Sequence, residues 1–177
     1  FDATAGERFF FDVQAADITD AAWLVIAPAG NFVYGAGLGT DVDVVTLNQT
    51  GTYTLLVEGR RNYTTGVNNY RFNVQRVQDD AAPAPIGQQM NGSIAHVGQT
   101  DVYTLTLAQH TQVIFDSFTD SSELRWTLAG AAGVIVSDRQ LRSSDSFDGF
   151  PLFALAAGTY TLSVSGNGDA TGAYAFR

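Results

Sequence analysis

Apolar and polar residues alternate one by one in several stretches of this chain. Over 160–165, Tyr160, Leu162 and Val164 alternate with Thr or Ser. The same alternation occurs over 103–107, and over 53–58 with Leu56 in place of a polar residue. A period of two places apolar side chains on one face of a strand and polar ones on the other, as in an antiparallel sheet with one face against a core. No window carries the apolar stripe of a helix.

Short alternating runs of this kind predict a chain built from strands. We expect strands near 8–14, 22–27, 42–48, 52–58, 69–77, 92–96, 101–107, 112–117, 124–129, 133–137, 152–156, 159–165 and 172–177. Gly and Asn turns separate the runs, and short strands at this spacing favour two packed sheets in each domain. The predicted fold class is all-β, with antiparallel, jelly-roll-like β-sandwiches.

The strand pattern occurs twice. The sequence GTYTL at 51–55 recurs at 158–162, and WLVIAPAG at 23–30 matches WTLAGAAG at 126–133. The stretch 6–11 also aligns with 98–103, which places Phe9 opposite Asp101. Because the matches keep their order, we predict two tandem β-sandwich repeats with Trp23 and Trp126 buried at matching positions.

A stretch with small residues, two prolines and two acids separates the copies. We expect repeat 1 over 1–77, an extended linker over 78–85 and repeat 2 over 86–177. The first strand of repeat 1 is expected upstream of Phe1, and the last strand of repeat 2 is expected to continue past Arg177. Both ends then belong to a longer chain.

Composition narrows the class of protein. Hydrophobic residues make up 45% of the chain, which is enough for a core, and the net charge of -9 disfavours nucleic acid as a partner. No apolar run reaches the ~18 residues that span a bilayer, so we expect no membrane insertion. There is no Cys, and therefore no disulfide, thiolate metal site or thiol nucleophile.

The motifs together resemble the bacterial pre-peptidase C-terminal domain. They are G-x-x-D-x-Y-x-L from Gly98 to Leu105, a middle strand with Trp, the sequence G-T-Y-T-L-x-V, and T-G-x-Y-x-F from Thr171 to Phe176. The resemblance covers nearly the whole chain, twice. It implies a β-sandwich appendage of secreted proteases, collagenases or large surface adhesins, located outside the cell or on its surface.

Two functions fit this resemblance. The first is a non-catalytic structural or adhesive repeat whose partners are neighbouring domains of the same longer chain. The alternative is an accessory module of an exported hydrolase that binds an extracellular polysaccharide or a protein such as collagen. No motif requires a cofactor.

Some domains similar to this family bind calcium through acids in the preceding linker and before the D-x-Y strand. Here Asp79 and Asp80 end the linker and Asp101 opens such a strand. If the linker folds back, three like charges would meet, and a divalent cation would relieve their repulsion. The alternative is that Asp79 and Asp80 are solvated linker charges. Repeat 1 is expected to lack the site because of Phe9.

No catalytic residue is predicted, and the chain is not expected to be an enzyme. The only histidines are His96 and His110, both in the second copy, and no nucleophile, zinc or phosphate-loop motif is present. A catalytic group of the repeat unit would be expected in both copies.

One loop carries a candidate ligand site. Arg60, Arg61 and Tyr63 lie together in a loop longer than its counterpart in the second copy. An Arg side chain offers a fork for carboxylates and Tyr offers a flat amphipathic face, so the loop suits carboxylates or sugars. The alternative is an ordinary hairpin tip.

Overall fold

The alternating pattern forms strands throughout the described chain. The structure is a computed structural model that describes residues 1–18, 20–61, 68–145, 147 and 152–177. Within these ranges the regular structure is β-strand, apart from one 3-10 turn at Leu141–Ser143. The predicted all-β class is confirmed. No described helix is long and apolar enough to cross a membrane.

The chain divides into two compact units, Phe1–Val77 and Gln78–Arg177. The strands of the first unit are β1 (Asp2–Ala3), β2 (Arg8–Ala16), β3 (Ala21–Ile26), β4 (Phe32–Gly37), β5 (Val42–Thr46), β6 (Gly51–Thr52), β7 (Thr54–Gly59) and β8 (Tyr70–Val77). The strands of the second unit are β9 (Ala81–Pro83), β10 (Met90–Ile94), β11 (Thr100–Leu107), β12 (Thr111–Ile114), β13 (Leu124–Gly130), β14 (Gly133–Gln140), β15 (Leu152–Leu155), β16 (Gly158–Gly166) and β17 (Gly172–Phe176).

The first unit packs two three-stranded sheets around its own core. The sheets have the strand orders β5–β2–β8 and β4–β3–β7, and β1 pairs with β6. Trp23 lies on the middle strand β3 and is fully buried. Its ring stacks on Phe11 at a centroid distance of 5.3 Å and meets Phe72 edge-on at 5.1 Å.

The second unit has a larger sheet and a divided one. The larger sheet has the order β14–β13–β16–β11–β9. Two antiparallel pairs, β10–β17 and β12–β15, are connected by a bridge between Ser117 and Phe176. The core contains Trp126 on β13, which stacks on Phe115 at 3.9 Å. Both tryptophans are thus buried, as predicted, each on a strand that lies between two others: β3 between β4 and β7, and β13 between β14 and β16.

The segment predicted as a linker belongs to the second unit. Ala81–Pro83 form β9, which pairs in parallel with β11 at the sheet edge. Pro83 fits there because the outer side of an edge strand needs no N–H donor. The 78–85 segment is therefore a structural part of this unit from Gln78 onward.

Strand pairing also corrects the alignment of the two copies near their starts. In the first unit β1 pairs with β6 through Ala3 and Gly51, just as the end of β11 pairs with the start of β16 through Leu107 and Gly158. The strand β2 pairs with β5 and β8, whereas β11 pairs with β16 and β9. Phe9 therefore does not occupy the position of Asp101. The predicted alignment of 6–11 with 98–103 is wrong, because a short motif that begins with Gly occurs by chance at both places.

Candidate functional site

The predicted Arg and Tyr loop is only partly described. The Nε atom of Arg60 lies 2.5 Å from Oδ1 of Asp20, and both side chains are well exposed. Arg61 is exposed, and Tyr63 lies outside the described residues. Because Arg60 already has an acidic partner, a carboxylate ligand would have to compete with Asp20 for it, although an exposed pair of this kind is weak.

The segment before β10 is fixed to the sheet by consecutive hydrogen bonds. Thr100 N–H donates to Oδ1 of Asp79 at 3.0 Å, and Val102 N–H donates to the carbonyl of Asp80 at 2.7 Å. Ala84 N–H donates to the carbonyl of Thr104 at 2.9 Å. The segment does fold back along the sandwich.

Asp101 is buried inside the second unit and is held by two side chains. It is 2% exposed, because it shares the inward face of β11 with Tyr103. Its Oδ1 accepts a hydrogen bond from Nε2 of Gln99 at 2.6 Å, and its Oδ2 accepts one from the hydroxyl of Tyr174 at 2.5 Å. A buried carboxylate needs such donors, since an unpaired one is very costly.

The network has a single consistent direction of hydrogen bonds. Tyr174 has one hydroxyl proton and donates it to Asp101, so Tyr103, at 2.8 Å, must donate to Tyr174. Burial raises the pKa of both phenols, and for Tyr174 the hydrogen bond to Asp101 adds to this. Both phenols therefore stay protonated and act as donors.

Gln99 completes this network and anchors the turn before β11. Its Oε1 accepts from Ala95 N–H at 2.7 Å, and its Nε2 also donates to the carbonyl of Ser93 at 3.2 Å. These contacts fix the orientation of the amide, because a backbone N–H can meet only the oxygen end. We call Gln99, Asp101, Tyr103 and Tyr174 the buried polar network.

The structure does not bring the three predicted calcium ligands together. Asp79 and Asp80 are exposed, while Asp101 points into the core. Among the described residues, the oxygens of these three carboxylates do not lie close enough together to bind one metal ion. Both oxygens of Asp101 already accept hydrogen bonds, so these residues do not fit the role of a shared ligand set for calcium.

His96 makes structural contacts. His96 Nδ1 lies 3.1 Å from the carbonyl of Val97, and its Nε2 is 3.4 Å from Gln78 N–H. A neutral ring with its proton on Nδ1 satisfies both contacts. His110 is exposed in the connection between β11 and β12. In the described part of the chain, neither ring bonds to a hydroxyl or carboxylate in the manner of a catalytic base.

A groove in the second unit is a candidate binding site. It encloses about 440 Å³ and is mostly apolar. One wall is the segment 84–90, the other is 112–116, and the floor is core side chains of the larger sheet. The floor and rim residues are Leu105, Trp126, Leu128, Phe153, Leu162, Phe176 and Arg177.

Sequence reasoning missed both the groove and the buried polar network. The signal for the network was present, because Gln99, just before β11, and Asp101, on β11, continue the spacing of two that places Tyr103 and Leu107 inward. The groove has no such signal, since its residues read as ordinary core positions until the strand order is known.

Comparison with known proteins finds similarity in structure alone. No family model matches the chain, and no curated protein matches it. The pre-peptidase C-terminal domain of a collagenase from Bacillus anthracis is similar in structure, with 17% identity, 56% of this chain and 94% of that chain covered, and a TM-score of 0.44.

Two other solved structures are similar to parts or all of the chain. The periplasmic inhibitor of g-type lysozyme from Salmonella Typhimurium, PliG, shows 18% identity, 55% and 97% coverage of the two chains, and a TM-score of 0.40. The CUB1-EGF-CUB2 domain of human MASP-1/3 shows 6% identity, 99% and 90% coverage, and a TM-score of 0.32. A domain of the family that the motifs resemble is thus among the similar structures.

Proposed function

We propose that this chain is a non-catalytic structural or adhesive pair of β-sandwich repeats within a larger secreted or cell-surface bacterial protein. The observation that carries the proposal is the way the two units are joined. Each unit has its own apolar core, and the connecting segment is a strand of the second unit instead of a free linker. A chain built in this way suits a spacer whose partners are neighbouring domains of the same protein.

The side chains that could take part in acid–base chemistry support the same proposal. The buried polar network uses its carboxylate and both phenols for internal hydrogen bonds. His96 holds Gln78 at the start of the second unit. Groups that are buried and satisfied by one another stabilise a fold and are poorly placed to meet a substrate.

Mechanical unfolding tests the proposal directly. The whole chain, tethered at both ends, should unfold in two separate steps, since each unit has its own core. Unfolding of 77 and 100 residues should release contours of about 27 and 35 nm respectively, less the folded span of each unit. A single step, or measurable hydrolysis of collagen or polysaccharide by the chain, would refute it.

A second candidate is an accessory module that binds polysaccharide or collagen, and an exposed apolar patch favours it. Phe32 is 61% exposed on β4, and the Phe32 ring and the Leu24 side chain both lie close above Gly35. Leu56 is exposed opposite Leu24 on β7. An exposed aromatic ring beside aliphatic side chains is a surface on which a sugar ring or a proline can stack.

Binding assays separate the two functions. Glycan and collagen binding by the whole chain should be lost in Phe32→Ala if the patch is the site, and in Tyr63→Ala if the loop is the site. Val134→Ala is the matched control, because Val134 is 64% exposed on the second unit. No binding by the unmodified chain would leave the structural role as the better proposal.

A further inference from the structure

One edge of β12 is open in the part of the chain that the structure describes. β12 pairs with β15 through Val113 and Phe153, among other positions. Within the ranges that the structure describes, no strand pairs with the opposite edge over 111–114. Just beyond β12, Asp116 and Arg177 exchange two backbone hydrogen bonds, at 2.9 and 2.8 Å. β17 therefore reaches this edge only at its C-terminal end.

The register of that contact fixes where a longer β17 would run. In an antiparallel pair, each step forward on one strand is a step back on the other, so the first residue past Arg177 would lie opposite Phe115 and the second opposite Ile114. Because Asp116 and Arg177 exchange both bonds, the next hydrogen-bonding positions on the open edge are Ile114 and Gln112.

The apolar groove lies beside this open edge. Its volume is about 440 Å³, and residues 112–116 form one wall. Inward side chains of a continued β17 would lie above Trp126 and Leu162 on the floor. Protein cores are packed to the density of organic crystals. The groove leaves core aromatic rings without packing partners among the described residues on one side, so the core is incomplete at this place. The shape and chemistry match an extended segment with apolar residues at alternate positions.

The first unit shows the same position filled. β8 pairs with β2 through Phe72 and Val13, as Phe176 meets Ser117 in the second unit. β8 then continues to Val77, and Val74 lies opposite Phe11 and packs against the core. Phe11 stacks on Trp23 as Phe115 stacks on Trp126. The position of Val74 corresponds to the groove.

We propose that the groove is a strand-acceptor site for an extended segment that continues β17 past Arg177, runs antiparallel to β12 and directs its first and third side chains inward. This rests on the proposed function in one respect, namely that the chain is a module of a larger protein. The occupant is the polypeptide that follows Arg177 there. The second unit then depends on its downstream neighbour for the last part of its core.

Two extended chains with the same composition test the site. One carries Val-Gln-Val-Gln after Arg177, which directs both valines into the groove. The control carries Gln-Val-Gln-Val, which directs them to solvent, because a shift of one residue exchanges the faces of a strand. The first extension should raise the melting temperature of the second unit by about 4 °C or more relative to the control. It should also slow amide exchange at Ile114 and Gln112 at least about tenfold.

Equal melting temperatures and equal exchange rates for the two extensions would overturn the proposal. Native mass spectrometry of the unextended chain and of the Val-Gln-Val-Gln chain gives a second measurement. A small apolar molecule that binds tightly to the unextended chain and equally to the extended chain would also overturn the proposal. These results are independent of the glycan and collagen assays, so failure of the strand site and failure of the proposed function are distinguishable.

Discussion

Replacing Tyr174 with Phe removes one hydroxyl from the middle of the buried polar network. Tyr174 donates to Asp101 and accepts from Tyr103, so the change breaks two hydrogen bonds at once. The ring itself is kept, including its stacked contact with Phe176 at 6.3 Å. The loss of stability therefore reports the network and not a cavity.

The expected cost follows from the state of each partner. Asp101 is 2% exposed and, among the described side chains, would keep Gln99 as its one donor. A hydrogen bond to a charged group contributes about 1.5–3 kcal/mol, and a buried hydroxyl without a partner costs about 1–3 kcal/mol. The two losses share one site and are not additive, so we expect the free energy of unfolding of the second unit to fall by about 3 kcal/mol.

The matched controls remove one hydroxyl each. Tyr103→Phe leaves the bond between Tyr174 and Asp101 intact. Tyr160→Phe removes a bond of 2.9 Å to the carbonyl of Ala156, which is a neutral acceptor. Each control should cost about 1 kcal/mol, the usual contribution of a neutral hydrogen bond.

Urea unfolding of the whole chain, followed by the NMR amide signals of the second unit, measures these costs separately from the first unit. The order should be Tyr174→Phe well above Tyr103→Phe and Tyr160→Phe. If Tyr174→Phe costs no more than Tyr160→Phe, Asp101 does not depend on the phenol, and the reasoning about the network is wrong.

Three further predictions concern the same unit. Burial raises the pKa of Tyr174 above the ordinary phenol value of 10.0. The stability that the protonated phenol contributes is therefore complete below about pH 10 and is lost above it, with a slope that approaches about 1.4 kcal/mol per pH unit. Unfolding curves measured at alkaline pH check this, and Tyr174→Phe should reduce the dependence on pH. Gly92→Ala should destabilise the second unit by about 2 kcal/mol or more, since the new Cβ would overlap the ring of Tyr174 and lie 2.6 Å from the hydroxyl of Tyr103. The control Gly59→Ala lies in the first unit and has nothing within 4 Å of the new Cβ. It should destabilise the first unit by less than half as much in thermal melts of the whole chain. The melting temperature should be the same in calcium and in a chelator, because both oxygens of Asp101 are occupied; a rise with calcium that disappears in Asp101→Ala would contradict this.

The sequence by itself determined the fold class and most strand positions. Alternation over 101–107 corresponds to β11 and alternation over 159–165 corresponds to β16. Such strands are readable because burial on one face is a local property of a period of two. The sequence also placed Trp23 and Trp126 in the core, since each lies in a short apolar stretch.

Other strands were not predicted by the alternation of apolar and polar residues, because they form through pairing with a neighbouring strand. β4 was not predicted, since its glycines weaken the strand signal. The position of Gly35 is explained only by the structure, where a Cβ would lie 2.8 Å from the carbonyl of Trp23. The segment with Pro83 reads as a linker, and it becomes a strand only because the edge of β11 is available to it.

Only the tertiary structure decided the candidate sites. Spacing along the chain grouped Asp79, Asp80 and Asp101 as ligands, but strand direction turns Asp101 inward to meet Tyr174, 73 residues away. The open edge of β12 likewise depends on pairing between 116 and 177. A local pattern shows which face of a strand is buried. Which partner lies across that face, and which edge remains open, depend on contacts between residues distant in the chain.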